Sequence, residues 1–319
     1  MPRLFTACLC GIVCLLLLGC AGAKKKPSAS LSAPSGQAVK EGESLYEQGR
    51  YVEAVAAFNK AIDAGTGGEE ASVGKGASLY KLGQYDAALA SLDQALARNK
   101  DSALAYYNRG LVFSRQGENA RAAADFKQAV KINPKFGQAY NNLGLVQYAA
   151  GQYKEALESF SLAASLMRDE SLEPVFNKAA VLLALKDFKA ALDIYAGALK
   201  KAPDDVRGLN NRGYAYSMVG EYDFAEADFT KAIERMPNDP DLYYNRGVVR
   251  LQKGDDQAAI ADYDKAISLD GAYAKAYVNR GLARMRLDDR TAACADLAKA
   301  CELGACEKYK ELQSFGRCQ

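Results

Sequence analysis

Small and apolar residues recur every 34 residues along the chain, with one extra residue, near Ser171, between the fourth and the fifth repeat. On a grid that starts at Ser35, alanine occupies position 20 of every repeat, from Ala54 to Ala293, and position 27 of every repeat, from Ala61 to Ala300. Position 24 is always Phe, Tyr or Leu. A constant period between about 20 and 50 residues indicates a repeat architecture. The eight predicted repeats are 35–68, 69–102, 103–136, 137–170, 172–205, 206–239, 240–273 and 274–307.

Turn signals divide each repeat into two helices. Position 15 is glycine in six repeats, with Lys186 and Asp288 as exceptions, and glycine accepts the left-handed backbone that ends a helix. Position 32 is proline in three repeats, where it stops the second helix. Neither helix can bury its apolar face alone, so consecutive pairs must stack. Gly74 and Gly76 fall inside a first helix, where they predict a flexible joint.

The pattern resembles the tetratricopeptide repeat (TPR) family over residues 35–307. The resemblance implies an all-α solenoid, wound as a right-handed superhelix, whose concave groove binds a protein or an extended peptide. Repeat 5 departs from the pattern, since Lys178 and Ala179 stand where Arg or Leu and then Gly are usual. No catalytic domain remains outside the repeats, so a scaffold is expected rather than an enzyme. A self-assembling structural protein and a regulatory subunit of an enzyme are the alternatives.

Charge and composition narrow the possible partners. The chain has 319 residues and a formal net charge of +2, which gives no strong positive field to attract nucleic acid. It contains no histidine, so an imidazole can serve neither as a catalytic base nor as a metal ligand. No glycine-rich phosphate loop follows a strand pattern. We therefore expect no nucleic acid, no small-molecule substrate and no cofactor.

The first 20 residues resemble a bacterial lipoprotein signal. An apolar run over 4–18 is too short to span a bilayer comfortably but suits a signal-peptide core. Residues 17–20, Leu-Leu-Gly-Cys, resemble the lipobox. That family implies a signal peptide over 1–19 and lipid modification of Cys20. An ordinary signal peptide with a chance cysteine, or an uncut anchor helix, is the alternative.

The segment after the predicted anchor is expected to be a flexible tether over 20–36. It lacks periodicity and is rich in Ala, Ser, Pro and Lys. Such a segment spans roughly 20 Å as a coil and about 50 Å when extended. Ala21, rather than Asp, follows the predicted lipidated cysteine, which in lipoproteins of double-membrane bacteria favours the outer membrane. We expect a lipid-anchored protein of the cell envelope that faces the periplasm and acts in envelope assembly.

Four further cysteines lie near the C-terminal end of the chain. An even number in an exported protein indicates two disulfides. A four-cysteine zinc site is the alternative, although the usual close Cys-x-x-Cys pairs are absent. Cys294 and Cys301 are expected on one helix, seven residues and about 10 Å apart. That distance is too long for a disulfide between these two cysteines. The four are Cys294, Cys301, Cys306 and Cys318.

The tail over 305–319 is expected to cap the solenoid. A helix over 305–315 has an apolar edge of Tyr309, Leu312 and Phe315, and such a helix covers the open end of a repeat stack. Antiparallel packing on the last repeat helix would bring the cysteines together in pairs. The expected disulfides are Cys294–Cys318 and Cys301–Cys306.

Arginine at position 7 and aspartate at position 23 occur together in four repeats and in no others. Position 7 lies on the side of the first helix that faces the second helix. A half-buried guanidinium there needs a carboxylate partner, so we predict structural ion pairs within the repeats. Exposed pairs would contribute little. The predicted pairs are Arg109–Asp125, Arg212–Asp228, Arg246–Asp262 and Arg280–Asp296.

Asparagine occupies position 6 in every repeat from the third onward, about 200° from positions 4 and 8 and so away from the core. This resembles the asparagine ladder of the O-linked N-acetylglucosamine transferase superhelix, whose amides bind a peptide backbone. An amide both donates and accepts, so it can pair with any peptide unit. The alternative is that the asparagines at this position bind no ligand. The predicted ladder is Asn108, Asn142, Asn177, Asn211, Asn245 and Asn279, with Tyr107, Phe176, Tyr214, Tyr244, Asn141 and Tyr148 as further groove residues.

Overall fold

A computed structural model describes residues 36–168, 170–315 and 317–318. These residues form 17 helices and no strand, which confirms the predicted all-α repeat fold. The predicted signal peptide, the Cys20 anchor and nearly all of the tether lie outside the described residues. Over the described ranges, no helix is both long enough and apolar enough to cross a membrane.

Each of the eight repeats is a pair of helices, and a short seventeenth helix follows them. The helices are α1 (Gln37–Glu47), α2 (Tyr51–Asp63), α3 (Gly68–Lys81), α4 (Tyr85–Arg98), α5 (Ala103–Arg115), α6 (Asn119–Ile132), α7 (Gly137–Ala149), α8 (Tyr153–Leu166), α9 (Glu173–Ala184), α10 (Phe188–Lys201), α11 (Val206–Met218), α12 (Tyr222–Arg235), α13 (Pro240–Lys253), α14 (Asp256–Leu269), α15 (Ala274–Arg286), α16 (Arg290–Glu302) and α17 (Glu307–Ser314).

The described residues divide into two compact modules, 36–181 and 182–318, with the division inside α9. Within each module, a second helix packs against both the first helix of its own repeat and the first helix of the next repeat. The alanines at positions 20 and 27 are buried throughout. Apolar contact between neighbouring repeats therefore holds each module together, as expected for a repeat stack.

Glycine at position 8 lets the two helices of a repeat approach closely. A Cβ atom added to Gly110 would lie 2.8 Å from the ring of Phe126, which occupies position 24. In the second repeat, α3 runs unbroken through Gly74 and through Gly76, which is the position-8 glycine. A Cβ on Gly74 would lie 2.3 Å from the Phe58 ring of the preceding repeat. Gly74 therefore has a packing role, and the flexible joint stays a prediction.

The turn inside each repeat uses left-handed backbone at position 15. The six glycines there have φ between 73° and 89°. The two exceptions, Lys186 and Asp288, adopt the same conformation, with φ of 62° and 63°. A side chain makes this conformation unfavourable because its Cβ approaches the following carbonyl oxygen. These two turns therefore carry backbone strain that glycine would remove.

The final helix α17 is shorter than predicted, and one of its three expected apolar contacts is missing. Leu312 is buried and Tyr309 is partly buried against α16. Phe315 is 68% exposed, so its prediction as a packing residue is wrong. The reason is that α17 ends at Ser314, which leaves Phe315 beyond the last helical turn.

Two disulfides join this last segment to α16. Cys294 is bonded to Cys318, with their Cα atoms 5.5 Å apart, and Cys301 is bonded to Cys306, with Cα atoms 3.9 Å apart. Among the described residues, no group of three or more His, Cys, Asp or Glu side chains is arranged to hold a metal ion.

Replacing Lys186 with glycine should stabilise the protein. The substitution removes the left-handed strain of a residue with φ of 62°, and we expect the free energy of unfolding to rise by roughly 0.5–1 kcal/mol. Urea denaturation followed by circular dichroism measures this change. Gly151→Ala is the matched control, since an added Cβ there meets no atom within 4 Å and should destabilise through strain alone. An unchanged or lower stability for Lys186→Gly would contradict the strain argument.

Candidate peptide-binding face

The position-6 asparagines connect consecutive repeats. In four of them the side-chain amide nitrogen donates to the side-chain oxygen at position 5 of the preceding repeat. The donor–acceptor distances lie between 2.9 and 3.1 Å. The four bonds are Asn142 to Tyr107, Asn177 to Asn141, Asn245 to Asn210 and Asn279 to Tyr244.

The residue at position 5 decides whether this bond can form. Asn108 follows a repeat with Val73 at that position, and a valine has no oxygen to accept. Its amide nitrogen donates instead to the Leu104 carbonyl oxygen of its own helix, at 2.9 Å. The sequence contained a usable signal, because Asn or Tyr stands at position 5 wherever one of these bonds forms. Three of the four acceptors, Tyr107, Asn141 and Tyr244, are predicted above as groove residues, and Asn210 is not among the predicted residues.

Several residues predicted to line an open groove are buried. Asn177 and Asn245 are 2% and 5% exposed, and Phe176 and Tyr244 are 4% and 6% exposed. The prediction of open groove positions is therefore wrong for two ladder asparagines and for two of the further groove residues. Bonding to the preceding repeat turns the amides toward the repeat interface, and a buried amide needs such a partner.

Tyr107 is also held by its surroundings. Its ring packs against Phe126 and Phe136, with centroid distances of 5.9 and 4.7 Å. Burial raises the pKa of the Tyr107 hydroxyl well above its ordinary value, so the group stays protonated at physiological pH. The hydroxyl accepts from Asn142 as a neutral group. Its primary role in this structure is to link two repeats.

Asn211 differs from the other five ladder residues. It is half-buried, as Asn108, Asn142 and Asn279 are, but unlike them its side chain makes no hydrogen bond to any described residue. Tyr214, one turn later on α11, is also half-buried. An unengaged amide beside an aromatic side chain can bond to a peptide unit while the ring supplies contact area. Within the C-terminal module, this part of α11 is the best candidate for peptide contact.

The four arginine–aspartate pairs have bidentate geometry within their repeats. In each one, Nε donates to one carboxylate oxygen and Nη2 to the other. The eight distances lie between 2.6 and 3.0 Å. The pairs are Arg109–Asp125, Arg212–Asp228, Arg246–Asp262 and Arg280–Asp296.

The two members of each pair differ in exposure. The aspartates are 3–6% exposed, whereas the arginine side chains are 13–23% exposed. The hydrogen bonds that Arg109 donates to Asp125 raise the pKa of Arg109, so that guanidinium remains charged at any physiological pH. A nearly buried carboxylate with such a partner is stabilised as an anion. These groups hold the helix pair together.

Three of these arginines also reach the preceding repeat, a contact that was not predicted. Nη1 of Arg109 donates to Asp93 at 2.7 Å, and Nη1 of Arg280 donates to Asp264 at 2.6 Å. Arg246 donates in the same way to Thr230, at 3.1 Å. Each acceptor occupies position 25 of the preceding repeat.

Arg212 lacks this third contact because Ala196 occupies position 25 of the repeat before it. Its pairing with Asp228 is therefore the simplest of the four.

In two of the repeats a second arginine also donates to the paired aspartate. This contact was not predicted from the sequence. Arg250 donates to Asp262 at 3.0 Å and to Glu226 of the preceding repeat at 2.8 Å. Arg284 donates to Asp296 at 2.8 Å. Both second arginines occupy position 11, one turn after position 7. That spacing was visible in the sequence, but it gives no indication of a shared carboxylate.

Models of the tetratricopeptide repeat match the sequence in both modules. The matched residues are 39–69, 73–135, 107–170, 206–239 and 274–303, and a model described as TPR repeat matches 249–288. Together the matches cover more than half of the chain. No curated protein matches the sequence significantly.

Solved structures show the same fold at low sequence identity. A tetratricopeptide repeat protein from Parabacteroides merdae is 20% identical, with a TM-score of 0.56, over 78% of this chain and 99% of that one. The C-terminal part of a TPR repeat-containing protein from Cytophaga hutchinsonii is 17% identical, with a TM-score of 0.58, over 76% and 98% of the two chains. YrrB, described as a TPR protein with an unusual peptide-binding site, is 27% identical, with a TM-score of 0.49, over 58% and 95%.

A double-mutant cycle on Arg212 and Asp228 should show strong coupling. Arg212→Ala leaves a nearly buried carboxylate unpaired and should destabilise by about 3 kcal/mol. The double alanine variant should cost less than the sum, with a coupling energy of roughly 1–3 kcal/mol. Urea denaturation measures all four proteins. Arg235→Ala, which breaks an ion pair with both members about half exposed, is the control and should cost less than about 1 kcal/mol. Additive effects at Arg212 and Asp228 would argue against a structural pair.

Proposed function

The chain belongs to the tetratricopeptide repeat family, and from this premise we propose that it is a membrane-tethered scaffold of a bacterial cell envelope. The fold is that of an interaction scaffold, which binds protein or peptide partners. In the proposed role, an extended segment of a partner protein lies along the first helices of the C-terminal module and contacts α11. The assembled partner acts in building the envelope.

The observation that carries the peptide site is the unengaged amide of Asn211. Its counterparts in the two following repeats already donate to protein oxygens, Asn245 to Asn210 and Asn279 to Tyr244. Asn211 is half-exposed with no such bond among the described residues, so its donor and acceptor are both available to a peptide unit. Tyr214 adds an aromatic surface one turn away, which favours a segment with an apolar side chain at that point.

Two sequence features support the tether and the compartment. The apolar run ending in Leu-Leu-Gly-Cys precedes a segment rich in Ala, Ser, Pro and Lys, which is typical of a flexible linker. The two disulfides on α16 fit an oxidising compartment such as the periplasm. A lipid on Cys20 and a linker of this length would hold the repeats within roughly 50 Å of the membrane.

Substituting Asn211 and Asn245 separately should distinguish binding from stability. Asn211→Ala removes a half-exposed amide and should change the melting temperature little, since a surface change is usually within about 0.5 kcal/mol. It should weaken partner binding by about twofold to tenfold, the effect of one neutral hydrogen bond. Asn245→Ala is the matched contrast. It deprives the buried Asn210 oxygen of its donor and should destabilise by about 1–3 kcal/mol.

The probe for this experiment is the partner identified by mass spectrometry after crosslinking in cell envelopes. Its binding segment is synthesised with a fluorescent label, and affinity is measured by polarisation. Melting is followed on the same samples by circular dichroism. Wild-type affinity in Asn211→Ala would remove α11 from the binding site. A fall in both affinity and melting temperature would make Asn211 a structural residue.

The Cys20→Ser variant tests the tether independently of the peptide site. We expect this variant to lose lipid labelling and to leave the membrane fraction or accumulate unprocessed, because the serine hydroxyl replaces the thiol that takes the lipid. Mass spectrometry and membrane fractionation measure both outcomes. Cys14→Ser, inside the apolar run, is the control and should be lipidated normally. Wild-type mass and lipid label in Cys20→Ser would refute the lipoprotein proposal and leave the peptide site unaffected.

A further inference from the structure

The last repeat ends in an apolar face that α17 covers. Leu297 is fully buried in a cluster completed by Leu312 of α17 and by Cys318 beyond it. In an earlier repeat the equivalent face is covered by the first helix of the next repeat, as where Val249 packs against Phe229. The short α17 therefore takes the place of the first helix of a ninth repeat.

The packing of α17 is too small to hold it firmly. It has eight residues, whereas isolated helices shorter than about 12–15 residues are marginal in water. Leu312 is its one buried residue, Tyr309 is partly buried, and Phe315 at its end is 68% exposed. One leucine must then offset the conformational entropy of the whole segment, which favours release.

Covalent bonds fix both ends of α17 to α16. Cys306 immediately precedes the helix and is bonded to Cys301 in the last turn of α16. Cys318 follows the helix and is bonded to Cys294, two turns earlier in α16. Because both ends of α17 are covalently fixed, the segment loses little further conformational entropy when it docks on α16. Burial of one leucine is then enough to keep it docked.

We propose that α17 is a redox-released cap: reduction of the two disulfides by a dithiol frees the helix and uncovers the apolar end of the last repeat. In the oxidised protein the cap closes the repeat stack. In the reduced protein the face around Leu297 becomes accessible to solvent and to other apolar surfaces.

The reduction is a thiol–disulfide exchange. A thiolate of the dithiol attacks one cystine sulfur, and the other sulfur leaves as a thiolate and takes up a proton. The second thiol of the reductant then displaces the first cysteine, which also takes up a proton. Two electrons pass to each disulfide, and each dithiol molecule becomes a disulfide.

The two bonds differ in accessibility and in effect. Cys301, Cys306 and Cys294 are half-buried, whereas Cys318 is 4% exposed. A thiolate can therefore attack the Cys301–Cys306 bond at either sulfur, but the Cys294–Cys318 bond mainly at Cys294. A dithiol should therefore reduce Cys301–Cys306 first. That bond closes a loop of five residues ahead of α17, but Cys294–Cys318 spans 24 residues and holds the far end of the helix. Release should follow the second reduction.

Hydrogen exchange of the full chain, with and without dithiothreitol, tests the cap. Non-reducing peptide mapping first confirms the pairs 294–318 and 301–306; four free thiols or bound zinc would end the proposal there. After reduction, verified by mass, amides of α17 should exchange at least about tenfold faster, as a helix that opens freely does. Amides of α13 and α14 should keep their protection.

Paired serine variants distinguish the two bonds under oxidising conditions. The double variant Cys294→Ser with Cys318→Ser should release α17 and increase binding of an apolar dye. The matched double variant Cys301→Ser with Cys306→Ser should keep α17 protected. If the first variant does not fold, reduction of the folded wild type still decides the question.

Two results would overturn the proposal. In the first, α17 stays protected in fully reduced protein, so that packing alone holds it. In the second, α13 and α14 lose protection together with α17, so that the disulfides maintain the whole module and no separate cap exists.

Discussion

The close approach of the two helices in each repeat is the constraint on which the rest of the structure depends. At Gly110 an added Cβ would lie 2.8 Å from the Phe126 ring, and Gly247 stands in the same relation to Tyr263. This distance also sets the reach of the arginine at position 7, which starts one residue before the glycine. A wider helix pair would separate Arg246 from Asp262 and leave a nearly buried carboxylate without its partner.

Hydrogen bonds between repeats fix the relative position of neighbouring helices, which apolar contact alone does not. Apolar contact is non-directional, so it permits neighbouring helices to slide or rotate. An amide at position 6 that must meet an oxygen at position 5 fixes both movements, as does an arginine reaching position 25 of the repeat before. Each such bond is worth little in net free energy, but the cost of leaving a buried Asn177 or Asn245 unpaired excludes the shifted arrangements.

The fold was predictable because eight copies of one pattern average out local exceptions such as Lys186. The arginine–aspartate pairs were predictable for a related reason, since the two residue types appear and disappear together among the repeats. The orientation of the asparagines was not. A helical wheel places position 6 away from its own repeat, but it does not show what the neighbouring repeat puts opposite. That information lay at position 5 of another repeat. The reason for Gly74 lay at position 24 of the preceding repeat, where Phe58 is its contact.

The bonds between repeats also bear on how such a chain can evolve. Asparagine is the donor at position 6 in each bonded pair, and both Tyr and Asn serve as its acceptor. If the seventh repeat were lost, Asn245 and Arg246 would be lost with it. Asn279 would then face Asn210, the present acceptor of Asn245, and Arg280 would face Thr230, the present acceptor of Arg246. Where donor and acceptor match in this way, a repeat can be deleted whole without stranding a buried group. Loss of the sixth repeat would instead set the buried Asn245 against Phe176, which has no oxygen to accept. Unequal recombination within such a gene would therefore preserve the interfaces at some repeats and not at others.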